Sequence, residues 1–288
     1  MHDLNYDLKR LCQRNPDGSF STRATRERVL SLMGDQLRSL GFKQMSAASL
    51  KPKHVEALLA HWRAENLSTG TIKNRMAHLR WWAEKVDKQN VIARDNQRYG
   101  IPERSTVASE SRARTLSAGD LAKVSDPYSR ISLRLQAAFG LRREESVKLR
   151  PALADQGDRL RLLPSWTKGG RSREIPIRTA EQRLVLADAR ALAGKGSLIP
   201  SELNYVQQLR RFEHQCAAAG IHRVHGHRHE YAQQRYQELT GWASPAAGGP
   251  RSAELTPEQK ELDRDARLVI SAELGHSRES ITTVYLSR

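Results

Sequence analysis

Cysteine is nearly absent from this chain: Cys12 and Cys216 are the only two in 288 residues, and they lie far apart. That count and spacing exclude a disulfide framework and a paired-cysteine zinc frame, and they suit a reducing compartment, with the cytoplasm as the expected location. Long apolar runs are also missing. None approaches the roughly 18 residues that a membrane-spanning helix needs, and the polar opening MHDLNYDLKR does not read as a secretory leader. With no lipidation motif either, no membrane partner is expected. Negative charge is in short supply: 32 Asp+Glu face 48 Lys+Arg, for a net charge of +16 and a pI near 10.3. Such a surplus does not specify a fold, but it favours a polyanionic partner. Residues 1–105 hold 19 basic and 11 acidic side chains, and the rest hold 29 and 21, so each part carries a surplus of 8. A basic tail on a neutral enzyme is thereby excluded. Both parts are suited to touch one long anion.

What the chain does have is enough apolar material for a core, 38% of its residues, and a helical pattern in front. TRATRERVLSLMGDQLRSLGF sets Val29, Leu30, Met33, Leu37 and Leu40 at helical spacing and stops at Gly41. A second helix starts near Pro52 with Val55, Leu58, Leu59 and Trp62 on one stripe. A third opens on a Ser68/Thr69 cap and repeats Ile72, Met76, Leu79, Ala83 and Val86. Lys73 and Arg80 fall seven apart on a separate face of that helix. A solvated face is the ordinary reading of such a pair; in so basic a chain, both are carried forward as DNA-contact candidates. From Asp95 to Arg114 the periodicity fails around Gly100, Pro102 and a Ser/Arg run, as in an interdomain linker.

The second part is mixed. ISLRLQAAFGLRREESVKLR reads as two helices broken near Gly140. DRLRLLPSW and SREIPIR are short alternating runs joined by TKGGR, a hairpin pattern, and helices resume near Ala180. The stretch TGWASPAAGGPRSAELTPEQ reads as loop.

Five pieces of this second part carry chemistry: Arg142 after Gly-Leu, Lys168 in the Gly-rich turn, His225-x-x-Arg228, His276 in LGHS, and Tyr285 nine residues later. Taken singly, each has an ordinary explanation as a surface arginine, a loop lysine, a core histidine or a packing tyrosine. Their order and spacing together are hard to produce by accident. A zinc reading of His222, His225, His227, His229 and Cys216 finds no HExxH or CxxC frame, and Glu230 alone offers a nearby carboxylate, so no metal is expected.

The series Arg, Lys, His-x-x-Arg, His, Tyr resembles the catalytic signature of the tyrosine recombinases, the phage-integrase family. GLR-x-x-E matches Gly140 to Arg142 with Glu145 in support. The hairpin lysine, its basic strand and its proline match Lys168 through Arg173 and Pro176. The H-x-L-R-H box matches His225 to His229, with His227 replacing an apolar residue, and the LGH box with its tyrosine matches Leu274 to Tyr285. The resemblance is specific over 112–288 and looser over 23–90. It implies a mainly α fold with a small antiparallel hairpin: a helical DNA-clamping domain over 1–94, a linker over 95–114, and a mixed α+β catalytic domain over 115–288.

It also implies an activity, cleavage and rejoining of double-stranded DNA at specific sites through a 3′-phosphotyrosine. Arg142 and Arg228 would fork onto the phosphate oxygens. A phenol is a poor nucleophile until its proton is removed, which makes His225 the expected base, with Lys168 protonating the departing 5′ oxygen and His276 orienting the phosphate. Neither cofactor nor metal is called for. A homotetramer on DNA is implied, with room for an accessory DNA-bending protein, in a bacterial or phage mobile element and at the nucleoid. Arg228 and His276 are 48 residues apart, longer than the family usually has, and an insertion is expected over 240–259. The alternatives are relaxation of supercoils in the manner of a type IB topoisomerase and a non-catalytic DNA-binding relative.

Overall fold

The structure is a computed structural model that describes residues 3–103 and 111–288. The chain divides into two compact units, Met1–Ser105 and Thr106–Arg288. Residues 104–110, inside the stretch expected to be linker, lie outside the described residues.

Among the described residues, the front unit is built on four α-helices: α1 (Asp3–Arg14), α2 (Phe20–Ser39), α3 (Pro52–Ala64) and α4 (Thr69–Lys85). Their starts follow local chemistry. Ser19 and Ser68 accept the backbone N–H groups of Thr22 and Thr71, and Pro52 occupies the first turn of α3, where its missing N–H costs nothing. Leu30, Met33 and Leu37 from α2 meet Leu58 and Trp62 from α3 and Met76, Leu79 and Trp82 from α4 in one buried core. Both buried indoles are satisfied, Trp62 by Gln36 Oε1 at 3.0 Å and Trp82 by the Ala47 carbonyl at 2.8 Å. Two details differ from the sequence pattern. From Asp3 on, the opening segment, read as merely polar, belongs to α1 and buries Leu4 and Leu8 four residues apart. Leu40, placed on the buried stripe of α2, is 40% exposed because α2 ends at Ser39 and the chain turns away at Gly41.

The second unit begins with short α5 (Ala118–Ala122), then α6 (Pro127–Phe139), α7 (Arg143–Lys148) and α8 (Pro151–Ala154). β1 (Arg159–Leu162) and β2 (Arg173–Pro176) form an antiparallel pair in which Leu162 faces Arg173 and Leu160 faces Ile175. The connection between them runs from 163 to 172 and includes a 3₁₀ turn at Pro164–Trp166, longer than the five-residue turn read from TKGGR. Five helices follow: α9 (Ala180–Ala193), α10 (Tyr205–Ala218), α11 (Gly226–Thr240), α12 (Pro257–Leu274) and α13 (Glu279–Leu286). The main core gathers Phe139 of α6, Leu160 and Leu162 of β1, Leu186 of α9, Tyr231 and Tyr236 of α11 and Ile270 of α12. A smaller cluster joins Leu133 to Phe212 and Cys216. Between α11 and α12 the chain makes two 3₁₀ turns, Pro245–Ala247 and Ser252–Glu254. Helix α12 begins inside the stretch read as loop. Thr256 caps it, Pro257 starts it and Gln259 returns the cap bond, signals that the surrounding Pro and Gly composition masked. Among the described residues, no helix is long and apolar enough to cross a membrane.

Candidate active site

Helix α11 supplies the base of the site. His225 stands at its N-terminal end, and Arg228, one turn later, is buried to 1% exposure. A guanidinium so deeply buried needs partners for its charge. Arg228 finds them at two helix C-termini: Nη1 donates to the carbonyl of Gly140 at 2.5 Å, ending α6, and Nη2 donates to that of Leu274, ending α12. These carbonyls have no acceptor role left inside their helices and carry the negative pole of the helix dipole, so a cation belongs there.

The glycines of the GLR and LGH motifs make both ends possible. Gly140 (φ +60) and Gly275 (φ +64) take left-handed conformations that stop their helices. A Cβ on Gly140 would come within 2.6 Å of Tyr231 Cδ1, and one on Gly275 within 2.7 Å of Arg173 Cδ. Arg142 and His276 therefore each emerge just past a sharply ended helix, and both ends face Arg228.

Glu145 binds the arginines together. It is fully buried and accepts from Arg142 Nη1 at 2.8 Å, from the Arg142 backbone N–H at 2.7 Å, and from both terminal nitrogens of Arg173 at 2.9 and 2.6 Å. Burial alone would raise its pKa; the bidentate Arg173, then Arg142 and Arg228, overcome this and hold it at about 2. Arg173 also donates from Nε to the Glu273 carbonyl at 2.8 Å. Arg142 keeps 24% of its side chain exposed.

Tyr285 comes from α13 and is 7% exposed. Its hydroxyl lies 3.1 Å from His225 Nε2. Its ring stacks on His276 with centroids 5.2 Å apart, packs against His229 at 4.3 Å, and sits 5.8 Å from the Arg228 guanidinium carbon. His276 is oriented from both sides, by Thr282 Oγ1 at 2.8 Å on Nδ1 and by Arg228 Nη2 at 3.2 Å on Nε2. Burial and the surrounding cations depress the histidines: His276 to about 3, His229 to about 4, and His225 below its ordinary value, first through burial and then through Arg228 and Arg142. Burial and Arg142 lower Arg228 to about 10, which leaves it charged at neutral pH. The site is thus a cationic pair of arginines beside neutral imidazoles, one of which is in position to accept a phenolic proton.

Arg142, His225, Arg228, His276 and Tyr285 converge, with Glu145 beneath them. Lys168 does not join them; it is exposed on the β1–β2 connection, with no bond to the other five among the described residues. In the front unit, Lys73 is partly exposed. Arg80 is turned inward, with Nε and Nη2 on the Ala93 carbonyl at 3.1 and 3.0 Å and Nη2 on Asn96 Oδ1 at 2.8 Å. It fastens the chain after α4, because a guanidinium reaching past the helix end meets carbonyls that need a donor. The site also contains residues to which no role was assigned from the sequence: Arg173 and His229, which lie inside matched motifs, and Gln233, whose Nε2 donates to the Tyr285 carbonyl at 3.1 Å. Arg173 had a signal, since it occupies an inward position in the alternating strand SREIP, where a charge must have a buried counter-ion. Of the remaining histidines in this stretch, His227 pairs its Nδ1 with the Arg114 carbonyl at 2.7 Å. Among the described residues, no three His, Cys, Asp or Glu side chains are grouped to hold a metal ion.

Two family models match the chain, "Phage integrase, N-terminal" over residues 1–91 and "Integrase" over residues 104–234. The chain belongs to the phage-integrase family of tyrosine recombinases, the site-specific recombinases of DNA. No curated protein sequence matches it. Its fold is similar to that of a lambda integrase dimer bound to a COC′ core site, at 14% identity and a TM-score of 0.62, covering 98% of this chain and 76% of that one. It is similar also to the Tn1549 transposon integrase in complex with circular intermediate DNA (14% identity, TM-score 0.59, 100% of this chain and 96% of that one). A third likeness is to the XerH recombinase in a pre-cleavage complex with its difH substrate, at 15% identity and a TM-score of 0.56, over 98% and 80%. At such identities the likeness speaks for the fold.

Proposed function

We propose that this recombinase cleaves double-stranded DNA by attack of the Tyr285 hydroxyl on a backbone phosphorus, forming a 3′-phosphotyrosine and releasing a 5′ hydroxyl. What carries this reading is the 3.1 Å contact between the Tyr285 hydroxyl and His225 Nε2. A neutral imidazole at that distance takes the phenolic proton as the O–P bond forms. Arg142 and Arg228 bind the non-bridging oxygens, on which charge accumulates in the transition state, and His276 helps orient the phosphate by fixing Arg228, from whose Nη2 it accepts at Nε2. The leaving 5′ oxygen takes its proton from Lys168, whose place on a long exposed connection lets it reach the bound strand. Rejoining runs these transfers in reverse with a 5′ hydroxyl from another strand. The front unit adds DNA contacts, Lys73 among them.

The catalytic unit works as a homo-oligomer on DNA, a tetramer at synapsis, in the nucleoid of the host of a mobile element. In support, lambda integrase has been seen as a tetramer bound to a Holliday junction. Both family matches are to integrases, which disfavours the relaxation reading. The test is a denaturation-resistant adduct. End-labelled DNA from the flanks of the protein's own gene, nicked to trap the intermediate, is incubated with wild type and with Tyr285→Phe. A 3′ adduct with wild type alone is expected; an adduct with both moves the nucleophile elsewhere.

A further inference from the structure

The helix that carries Tyr285 is held by polar contacts that the chemistry does not use. Helix α13 has only eight residues, of which Thr282, Tyr285 and Leu286 are buried. A helix this short has no stability of its own in water, so its position is set by what grips it. Helix α12 grips both ends. Near the start, Arg267 pairs with Glu279. At the far end Arg288 turns back, its side chain only 3% exposed, and sets Nε 2.7 Å from Asp263 Oδ1. Asp263 also accepts from Arg267 Nε at 3.0 Å and from the Tyr236 hydroxyl at 2.6 Å. That hydroxyl is fully used: it donates to Asp263 and accepts from Arg288 Nη2 at 2.7 Å and from the Trp242 indole at 3.2 Å.

The loop between α11 and α12 closes the arrangement. Ser252 Oγ accepts from Arg288 Nη1 at 3.2 Å, Trp242 reaches Tyr236, and the turn at Pro245–Ala247 packs against α13. The loop is tightly folded on itself, with Ser244 buried and its carbonyl accepting from Gly249 at 2.9 Å. We infer that Arg288 is a positioning residue for the nucleophile: with Asp263, and backed by the 241–256 loop, it clamps α13 so that the Tyr285 hydroxyl is held against His225 within one protomer. This rests on Tyr285 being the nucleophile. The loop, on this account, is a brace for the nucleophile helix.

The test uses the full chain with a nicked substrate and follows single-turnover adduct formation for wild type, Arg288→Ala and Arg288→Lys. Removing Arg288 leaves Asp263 paired with Arg267 and Tyr236, so no carboxylate is stranded and the protein still folds. Misplacement of a reacting group by about 1 Å costs about 100-fold in rate. For Arg288→Ala, a rate constant lower by about 10- to 100-fold is expected, with DNA affinity and final adduct yield held, and with partial recovery in Arg288→Lys. A purely structural role would lower the yield and leave the rate constant unchanged, which would overturn the inference. Amide hydrogen exchange, read without DNA, gives an independent answer: Arg288→Ala should lose protection over 279–286 and 244–252 while the rest of the catalytic unit keeps it. Unaltered protection there sinks the clamp whether or not DNA is cut. Absence of an adduct from wild type together with the expected exchange change would instead count against the nucleophile assignment alone.

Discussion

Glu145 and Arg173 illustrate how a charge can be buried without catalytic contact and still decide the site. Glu145 is completely buried with two arginines on its oxygens, and Arg173 is 8% exposed with all three of its nitrogens engaged. Removing one partner of such a pair strands the other in a low-dielectric interior, which typically costs about 3–5 kcal/mol. Arg173→Ala should therefore destabilise the catalytic unit by about that amount in chemical denaturation, and it should release Arg142 from its fixed orientation. Arg173→Lys would not restore the arrangement, because an ammonium cannot span both carboxylate oxygens and the Glu273 carbonyl at once. A stability loss under about 1 kcal/mol would mean that Glu145 is adequately held by Arg142. The residue-level meaning of the glutamate in the GLR-x-x-E motif is then concrete: it fixes Arg142, the arginine proposed to bind phosphate, by accepting from both its backbone and its side chain.

At the scale of elements, the site is made where two helices stop. The C-termini of α6 and α12 converge on Arg228, and each stop depends on a left-handed glycine. Gly140→Ala would combine an unfavourable φ of +60 with a Cβ 2.6 Å from the Tyr231 ring and 3.0 Å from Leu274 Cδ2, a ring that is itself locked to Glu273 by a 2.6 Å hydrogen bond. The strained backbone alone costs about 1–2 kcal/mol. Adding the clash, a loss of about 2–4 kcal/mol is expected in thermal or denaturant unfolding, the upper part reflecting overpacking. Adduct formation should fall further than the folded fraction explains, since the Gly140 carbonyl that orients Arg228 must move. Gly157 offers the control: it has φ +90 but open space around it, so Gly157→Ala should show the backbone cost without the clash and leave cleavage unaffected.

For the molecule as a whole, pH is the sharpest lever. His276 and His229 fold with values near 3 and 4, well below the 6.5 of an exposed histidine, and Glu145 folds near 2 against an ordinary 4.5. Each is depressed in the folded state, so the unfolded chain binds more protons as pH falls. The stability these groups contribute is complete above pH 6.5, is lost through the histidines between pH 6.5 and 3, and is lost through Glu145 between 4.5 and 2. The slope approaches about 1.4 kcal/mol per pH unit for each group in its own window. Denaturant midpoints measured from about pH 7.5 to about 4 should fall monotonically, beginning below about 6.5; a flat profile down to about pH 4.5 would show that the histidines are not held neutral. The net charge of +16 acts in the same direction, since protonation adds repulsion to an already cationic molecule.

Much of this was already decided along the chain. Helices α2, α3 and α4 follow from apolar spacing and from Ser and Pro at their starts, which are local effects. The strand pair follows from alternation, and the candidates Arg142, His225, Arg228, His276 and Tyr285 follow from motif order. Other features were settled only by tertiary packing. The bonds of Arg80 to Ala93 and Asn96 became visible only once the chain after α4 was found folded beneath it. Helix α1 was hidden because two leucines in a polar segment bury only against α2 and the rest of the core. Arg173, Gln233 and Arg288 lie far in sequence from Glu145, Tyr285 and Asp263, and no local pattern reports a hydrogen bond between segments so widely separated. Spacing along the chain records the face a residue takes on its own helix or strand; the partner that neutralises a buried charge is chosen where distant segments meet.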